Sequence, residues 1–261
     1  MDSYKTALIT GASSGIGEAF ARTLAGKGLD LILVARSEDK LRALARQLNE
    51  LYARRVEVVT ADLGVAGSAA KVQAAAQALG MPVGLLINNA GFGTVGAFLK
   101  QDAERERQEI LLNAAAVVDL SHAFLPAMVE RGRGGIINVA SMAAFQPLPY
   151  MSVYAATKAF VLSFSQGLRG EVRSKGVKVL AVCPGPVDTP FFEATGNAKL
   201  RKTVPRATMM TADGVVQASL KALRAGRSVV VPGMANKLLA TGTRLIPRDA
   251  LAAMTARFMK R

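Results

Sequence analysis

Seven short runs of apolar and β-branched residues recur along this 261-residue chain, and each is followed by a longer segment whose apolar residues repeat at helical spacing. The runs fall at 6–10, 31–35, 56–60, 85–88, 136–139, 177–183 and 228–231. The helical segments lie near 15–26, 38–51, 67–79, 102–129, 153–174 and 212–225, with one or two more after Pro232. Runs that are apolar at consecutive positions, such as Leu31-Ile32-Leu33-Val34, need cover on both faces. The pattern predicts a doubly wound α/β fold, a parallel seven-stranded sheet with helices on both faces. With 51% hydrophobic residues and unbroken periodicity, residues 1–261 read as a single domain. In such a sheet a ligand binds beyond the carboxyl ends of the strands, near the point where strand order reverses.

Thr10-Gly11-Ala12-Ser13-Ser14-Gly15-Ile16-Gly17 joins the first strand to the first helix. Glycines there let the backbone approach a pyrophosphate, and the positive end of the helix meets its charge. The spacing is Gly-x-x-x-Gly-x-Gly, not the general dinucleotide Gly-x-Gly-x-x-Gly. Asn88-Asn89-Ala90-Gly91 closes the fourth strand, and Asn113 lies on the long helix after it. Ser141 follows the fifth strand, Tyr154-Ala155-Ala156-Thr157-Lys158 opens the next helix, and Pro184-Gly185-Pro186-Val187-Asp188-Thr189 follows the sixth strand. In this order and spacing the elements resemble the short-chain dehydrogenase/reductase family over about residues 5–189. The resemblance implies a Rossmann-like fold and nicotinamide-dependent redox chemistry. It assigns the pyrophosphate end to Gly11, Ser13, Ser14, Gly15, Ile16 and Gly17, and the adenine to Asp62 and Leu63. Asn89, Ala90 and Gly91 fall on the adenosine side, Pro184, Gly185, Val187 and Thr189 on the nicotinamide side. Asn88 and Asn89 are also placed for hydrogen bonds at the strand end.

The second strand ends in Ala35-Arg36. Ala35 fills the position where an acid would accept from the ribose 2′-hydroxyl of NAD, whereas Arg36 suits a 2′-phosphate. NADP(H) is therefore the expected cofactor, with NAD(H) as the alternative. Glu38 and Asp39 read as first-turn acids of the next helix.

Tyr154 and Lys158 stand one helical turn apart and share a face. A free tyrosine has a pKa near 10; the Lys158 ammonium and an oxidised nicotinamide are expected to lower it. Tyr154 would exchange a proton with a carbonyl or alcohol oxygen that Ser141 holds by hydrogen bond, and Lys158 would also bind the nicotinamide ribose. The resemblance gives Asn113 the task of holding a relay water near Lys158. The four residues Asn113, Ser141, Tyr154 and Lys158 predict a carbonyl reductase or alcohol dehydrogenase. A non-catalytic sensor of NADP(H) with the same fold is the alternative. An epimerase or dehydratase of the longer nucleotide-sugar branch is a poorer fit, because its glycine spacing differs.

The substrate pocket is expected to draw on Met142, Ala143, Ala144, Gln146, Pro147, Leu148, Tyr150 and Met151, with Phe191, Phe192 and an irregular lid at about 191–211. Such a lining suits a hydrophobic ketone, a 3-oxoacyl chain or a steroid-like skeleton. Cys183, the only cysteine, reads as a small buried hydrophobe, and His122, the only histidine, as a helix-packing residue. With one of each, a metal site of cysteine or histidine is not expected.

The formal charge of +14 is uneven: residues 199–261 carry thirteen Lys and Arg against two acids. The basic extension at about 232–261 interleaves these cations with Met and Leu, which fits a membrane surface, an acyl-CoA or a carrier protein. One aromatic and no recognised motif speak against nucleic acid. The N-terminal residues run straight into the first strand, and no uninterrupted apolar stretch reaches the roughly 18 residues of a membrane span. A cytoplasmic protein is expected. Apolar residues on several faces of the segments 102–129 and 153–174, among them Val117, Leu120, Phe124, Phe160, Val161 and Phe164, predict a homodimer or homotetramer.

Overall fold

A computed structural model describes residues 4–196, 201, 204–243 and 245–259 of the chain. Seven parallel strands form one sheet: β1 Thr6–Thr10, β2 Asp30–Ala35, β3 Val56–Thr60, β4 Val83–Asn88, β5 Gly134–Val139, β6 Val177–Val182 and β7 Val229–Val230. Their order is β3-β2-β1-β4-β5-β6-β7, so the winding reverses between β1 and β4. The helices α1 Gly15–Ala25, α2 Glu38–Tyr52, α3 Ser68–Ala78, α4 Ala103–Ile110, α5 Ala116–Glu130 and α6 Ser152–Val172 alternate with these strands. A short α7 Phe191–Ala194, α8 Ala212–Arg224, α9 Met234–Gly242 and α10 Arg248–Met259 follow.

Because successive strand residues point to opposite faces, each strand feeds two cores. Ile9, Leu31 and Leu33 meet Phe20, Leu24, Leu41 and Leu48 of α1 and α2, together with Val215 and Leu220 of α8. On the other face Leu8, Ile32 and Leu86 meet Val72 of α3, Leu120 and Phe124 of α5, and Val172 of α6. The strand and helix boundaries agree with the sequence pattern to within two or three residues.

The segment 102–129 differs from a single regular helix. Leu111–Ala115, between α4 and α5, is one π-helical turn, and it carries Asn113. From Ala103 to Glu130 this element is long and apolar enough to cross a membrane, although Asn113, Asp119, Ser121 and His122 interrupt its apolar run. Its Ala116, Leu120, Phe124 and Met128 nevertheless belong to the core beneath the sheet. Val117, Leu120, Phe124 and Val161 are likewise buried within the chain, which leaves Phe160 as the exposed member of the expected assembly surface and Phe164 half-buried beside it.

The lid is less irregular than expected. It opens with α7, too short to give a periodic signal, and it returns to the sheet edge where Met210 bridges Val187. Residues 197–200 and 202–203 of that segment lie outside the described residues, as do Arg244, Lys260 and Arg261 of the basic extension. His122 is exposed on α5, not packed.

Candidate active site

At the carboxyl ends of β1, β4, β5 and β6 lies a cleft of about 890 Å³. One end is the glycine turn. The Thr10 hydroxyl accepts the N–H groups of Asn89 and Ala90 at 2.9 and 3.0 Å, and the Asn89 amide donates to the Thr10 carbonyl at 2.9 Å. These bonds fasten the end of β1 to the end of β4. Gly11 has φ +64°, and a Cβ there would lie 2.9 Å from the Ala90 backbone; one on Gly17 would lie 2.2 Å from the Gly11 carbonyl oxygen. The turn is therefore shaped by the absence of side chains. Ser14 caps α1 in extended conformation without lending its hydroxyl to the first turn, and Ser13, Ser14, Gly15 and Ile16 line the cleft there. This cradle fits a pyrophosphate.

Arg36 and Asp62 lie farther along the same wall, at the ends of β2 and β3. Their charged groups are 3.9 Å apart with side chains 76% and 50% exposed, a pair too solvated to hold the arginine in place. The guanidinium is thus available to a ligand. Leu63, Ala90, Gly91, Pro184, Gly185, Val187 and Thr189 also line the cleft. Gly17 does not: it packs beneath the turn.

At the centre Ser141 caps the turn Met142–Phe145, its hydroxyl accepting from Ala143 N–H at 3.1 Å and hydrogen-bonded to Tyr154. Tyr154 and Lys158 project from the first turns of α6 and are both buried. Burial pushes the Tyr154 phenol up to about 12, against the pull of its bond to Ser141. Lys158 Nζ donates to the Val139 carbonyl at 3.0 Å and stands 5.7 Å from the centre of the Tyr154 ring. Burial brings this ammonium down to about 8. Lys158 is not among the groups that move the phenol, in contrast to the lowering expected from it; burial keeps Tyr154 protonated at neutral pH.

Asn113 is fully buried in the π turn and outside the cleft wall. Its amide donates to the Phe92 carbonyl at 2.8 Å and to Thr157 Oγ1 at 3.1 Å, while Oδ1 accepts from Phe92 N–H at 3.1 Å. A Cβ on Gly91 would lie 2.8 Å from that Oδ1 and 3.3 Å from Lys158 Nζ, so glycine keeps the two groups close. Asn113 thereby anchors the loop behind the lysine.

The far end of the cleft is apolar. Met142, Ala143, Leu148, Met151, Phe191 and Phe192 line it, together with the polar Gln146; the Phe191 ring stands 5.5 Å from that of Tyr154. Ala144, Pro147 and Tyr150 do not line it. The Pro147 carbonyl accepts from Thr255 of α10, and Tyr150, at φ +66°, turns its carbonyl to Gly96 N–H. Arg105, Gln108 and Leu112 complete one wall, and Asn236 and Leu239 of α9 another. These were missed because they come from elements whose position over the cleft is tertiary. The buried Glu109, one turn before Asn113, was missed as well; only its place on the face of Asn113 sets it apart from Glu104 and Glu106. Cys183 is buried, and burial pushes its thiol up to about 12, as suits a small hydrophobe.

A family model described as short chain dehydrogenase matches residues 5–200. The very-long-chain 3-oxoacyl-CoA reductase of Rattus norvegicus is 33% identical over 219 residues, 82% of this chain and 67% of that protein. A short-chain dehydrogenase from Sphingobium yanoikuyae, solved with NADPH, is 38% identical with a TM-score of 0.82, over 92% of this chain and 93% of that one. The bulky-bulky ketone specific alcohol dehydrogenase from Comamonas testosteroni is 34% identical with a TM-score of 0.78, over 93% and 94% of the two chains. Glycine turn, sheet order, Ser-Tyr-Lys grouping and these matches agree: the chain belongs to the short-chain dehydrogenase/reductase family of oxidoreductases, which act on carbonyl and alcohol groups.

Proposed function

We propose that this protein is an NADP(H)-dependent reductase that interconverts a carbonyl and a secondary alcohol on a largely hydrophobic substrate, with Tyr154 as the proton donor and acceptor. The observation that carries the reading is the position of the hydrogen-bonded Ser141 and Tyr154, between a glycine-walled end and an apolar end of one cleft. A nicotinamide bound there supplies or accepts the hydride. The glycine turn would hold its pyrophosphate, Arg36 its 2′-phosphate and Lys158 its ribose. Ser141 holds the substrate oxygen, and Tyr154 donates its proton to that oxygen in reduction or removes it in oxidation. The apolar wall of Leu148, Met151, Phe191 and Phe192 orients the rest of the molecule and excludes water.

An aliphatic ketone or a 3-oxoacyl thioester suits that wall better than a sugar. The basic, apolar C-terminal helices are proposed to receive such a substrate from an anionic surface or carrier. The test is consumption of NADPH and NADH with ketones, aldehydes and 3-oxoacyl thioesters. Turnover of apolar carbonyls with NADPH at least about tenfold more efficient than with NADH is expected. Binding of NADPH without turnover of any of them would make the protein a sensor.

A further inference from the structure

Glu109 of α4 is fully buried, yet it takes no part in the cleft wall. Its Oε2 accepts from Thr94 Oγ1 at 2.8 Å, and the Thr94 backbone N–H also bonds the carboxyl group. Oε1 is buried with no hydrogen-bond partner among the described residues. As a mere clamp this is costly, because a glutamine could accept from Thr94 without burying a charge. The loop it holds is also the loop that packs on the tyrosine: a Cβ on Gly93 would lie 3.0 Å from the Tyr154 ring.

The charged and titratable groups that face Glu109 are Glu106 on its own helix and Tyr154 and Lys158 on α6, with Cys183 facing Lys158 in turn. Burial raises the Glu109 carboxyl to about 7, opposed by the two Thr94 bonds and the lysine charge. Between about pH 7 and 8 it is therefore ionised while Lys158 still holds its proton. A negative charge favours the proton on each neighbour.

We propose that Glu109 is a positioning residue for proton transfer: its carboxylate, fixed by Thr94 behind the catalytic pair, keeps Lys158 charged and the Tyr154 phenol protonated. This rests on the reading of Tyr154 as the proton donor. Without that charge both groups give up their protons at lower pH, so both directions of the reaction shift the same way.

The experiment is kcat and KM against pH, over about pH 5.5–9.5 and in both directions, for the parent, Glu109→Gln, Glu109→Asp, Thr94→Val and Tyr154→Phe. In Glu109→Gln the alkaline fall of reduction and the alkaline rise of oxidation should both move down by about half a pH unit or more, with KM within about twofold. Glu109→Asp, which keeps the charge, should hold the parent profile. Thr94→Val deprives the carboxylate of a donor, so it should shift the profile less but in the same direction; it decides the matter if Glu109→Gln does not fold. A folded Glu109→Gln that superimposes on the parent overturns the proposal, as does an aspartate variant that shifts as far as the glutamine. An inactive Tyr154→Phe beside an unshifted Glu109→Gln overturns this inference alone, whereas an active Tyr154→Phe overturns the reading beneath it.

Discussion

Tyr154 and Lys158 occupy the dry floor of the cleft, where removing charge from water costs more than a neighbouring dipole returns. The phenol is held at about 12 and the ammonium at about 8, so the pair enters the neutral range protonated. Tyr154→Phe should lower kcat by roughly a hundredfold or more while leaving NADPH affinity within about twofold, measured by steady-state kinetics and fluorescence titration. Glu109 also governs stability. Its folded-state value of about 7 lies above the ordinary 4.5, so between those values the native state binds more protons than the unfolded one. Stability from this group is full below the window and is lost as pH rises through it. Replacing it with glutamine should change the difference in unfolding free energy from pH 5 to pH 7.5 by on the order of 2 kcal/mol, in favour of the variant at the higher pH. Urea titrations at the two pH values check this.

Among the elements, the end of β2 is where the proposed preference for NADPH can be tested. Ala35 offers no carboxylate to a ribose hydroxyl, and Arg36 is paired loosely with the half-exposed Asp62. Arg36→Asp should erase or invert an NADPH preference of about tenfold or more, read as the ratio of the two dissociation constants. Elements of this kind were legible in the sequence because the glycine turn, the strand ends and the Tyr-x-x-x-Lys turn are short-range patterns. The π turn at Leu111–Ala115 was not, since inserting one residue in a helix leaves the apolar period nearly intact. Neither was α9. It buries Asn236 and Ala240 and turns Met234, Leu238 and Leu239 outward, the reverse of an ordinary surface helix. Asn236 is spent on the backbone carbonyls of Thr208 and Pro232, which fixes the helix over Gly185. Replacing Lys237, Arg244 and Arg248 with Gln should weaken sedimentation with anionic vesicles, and the parent's own binding should fall between about 0.1 and 1 M salt as screening shortens. Equal sedimentation of both proteins would make the basic helices a solvated face.

For the molecule as a whole, the question is what covers its remaining apolar surface. Ile110 and Phe160, both close to half exposed, lie on the α4–α5 and α6 elements, with Phe164 stacked beside Phe160. A symmetric assembly through these helices is expected, and light scattering at micromolar concentration should return a dimer or tetramer mass; a monomer mass would reject it. That expectation draws on fewer residues than the sequence offered, because Val117, Leu120, Phe124 and Val161 turn inward to the sheet. Helical periodicity shows that a helix has more than one apolar face without telling which face the sheet takes. The placement of α9 has a different consequence. Leu239 and Asn236 roof the cleft, yet they come from residues after the last strand, far along the chain from the glycine turn and the Ser-Tyr-Lys group. Part of the roof of the cleft is thus encoded apart from the Ser-Tyr-Lys group, whereas the wall of Met142, Leu148 and Met151 shares that group's stretch. A substitution at Leu239 can therefore reshape that roof without altering any residue of the glycine turn or of the Ser-Tyr-Lys group.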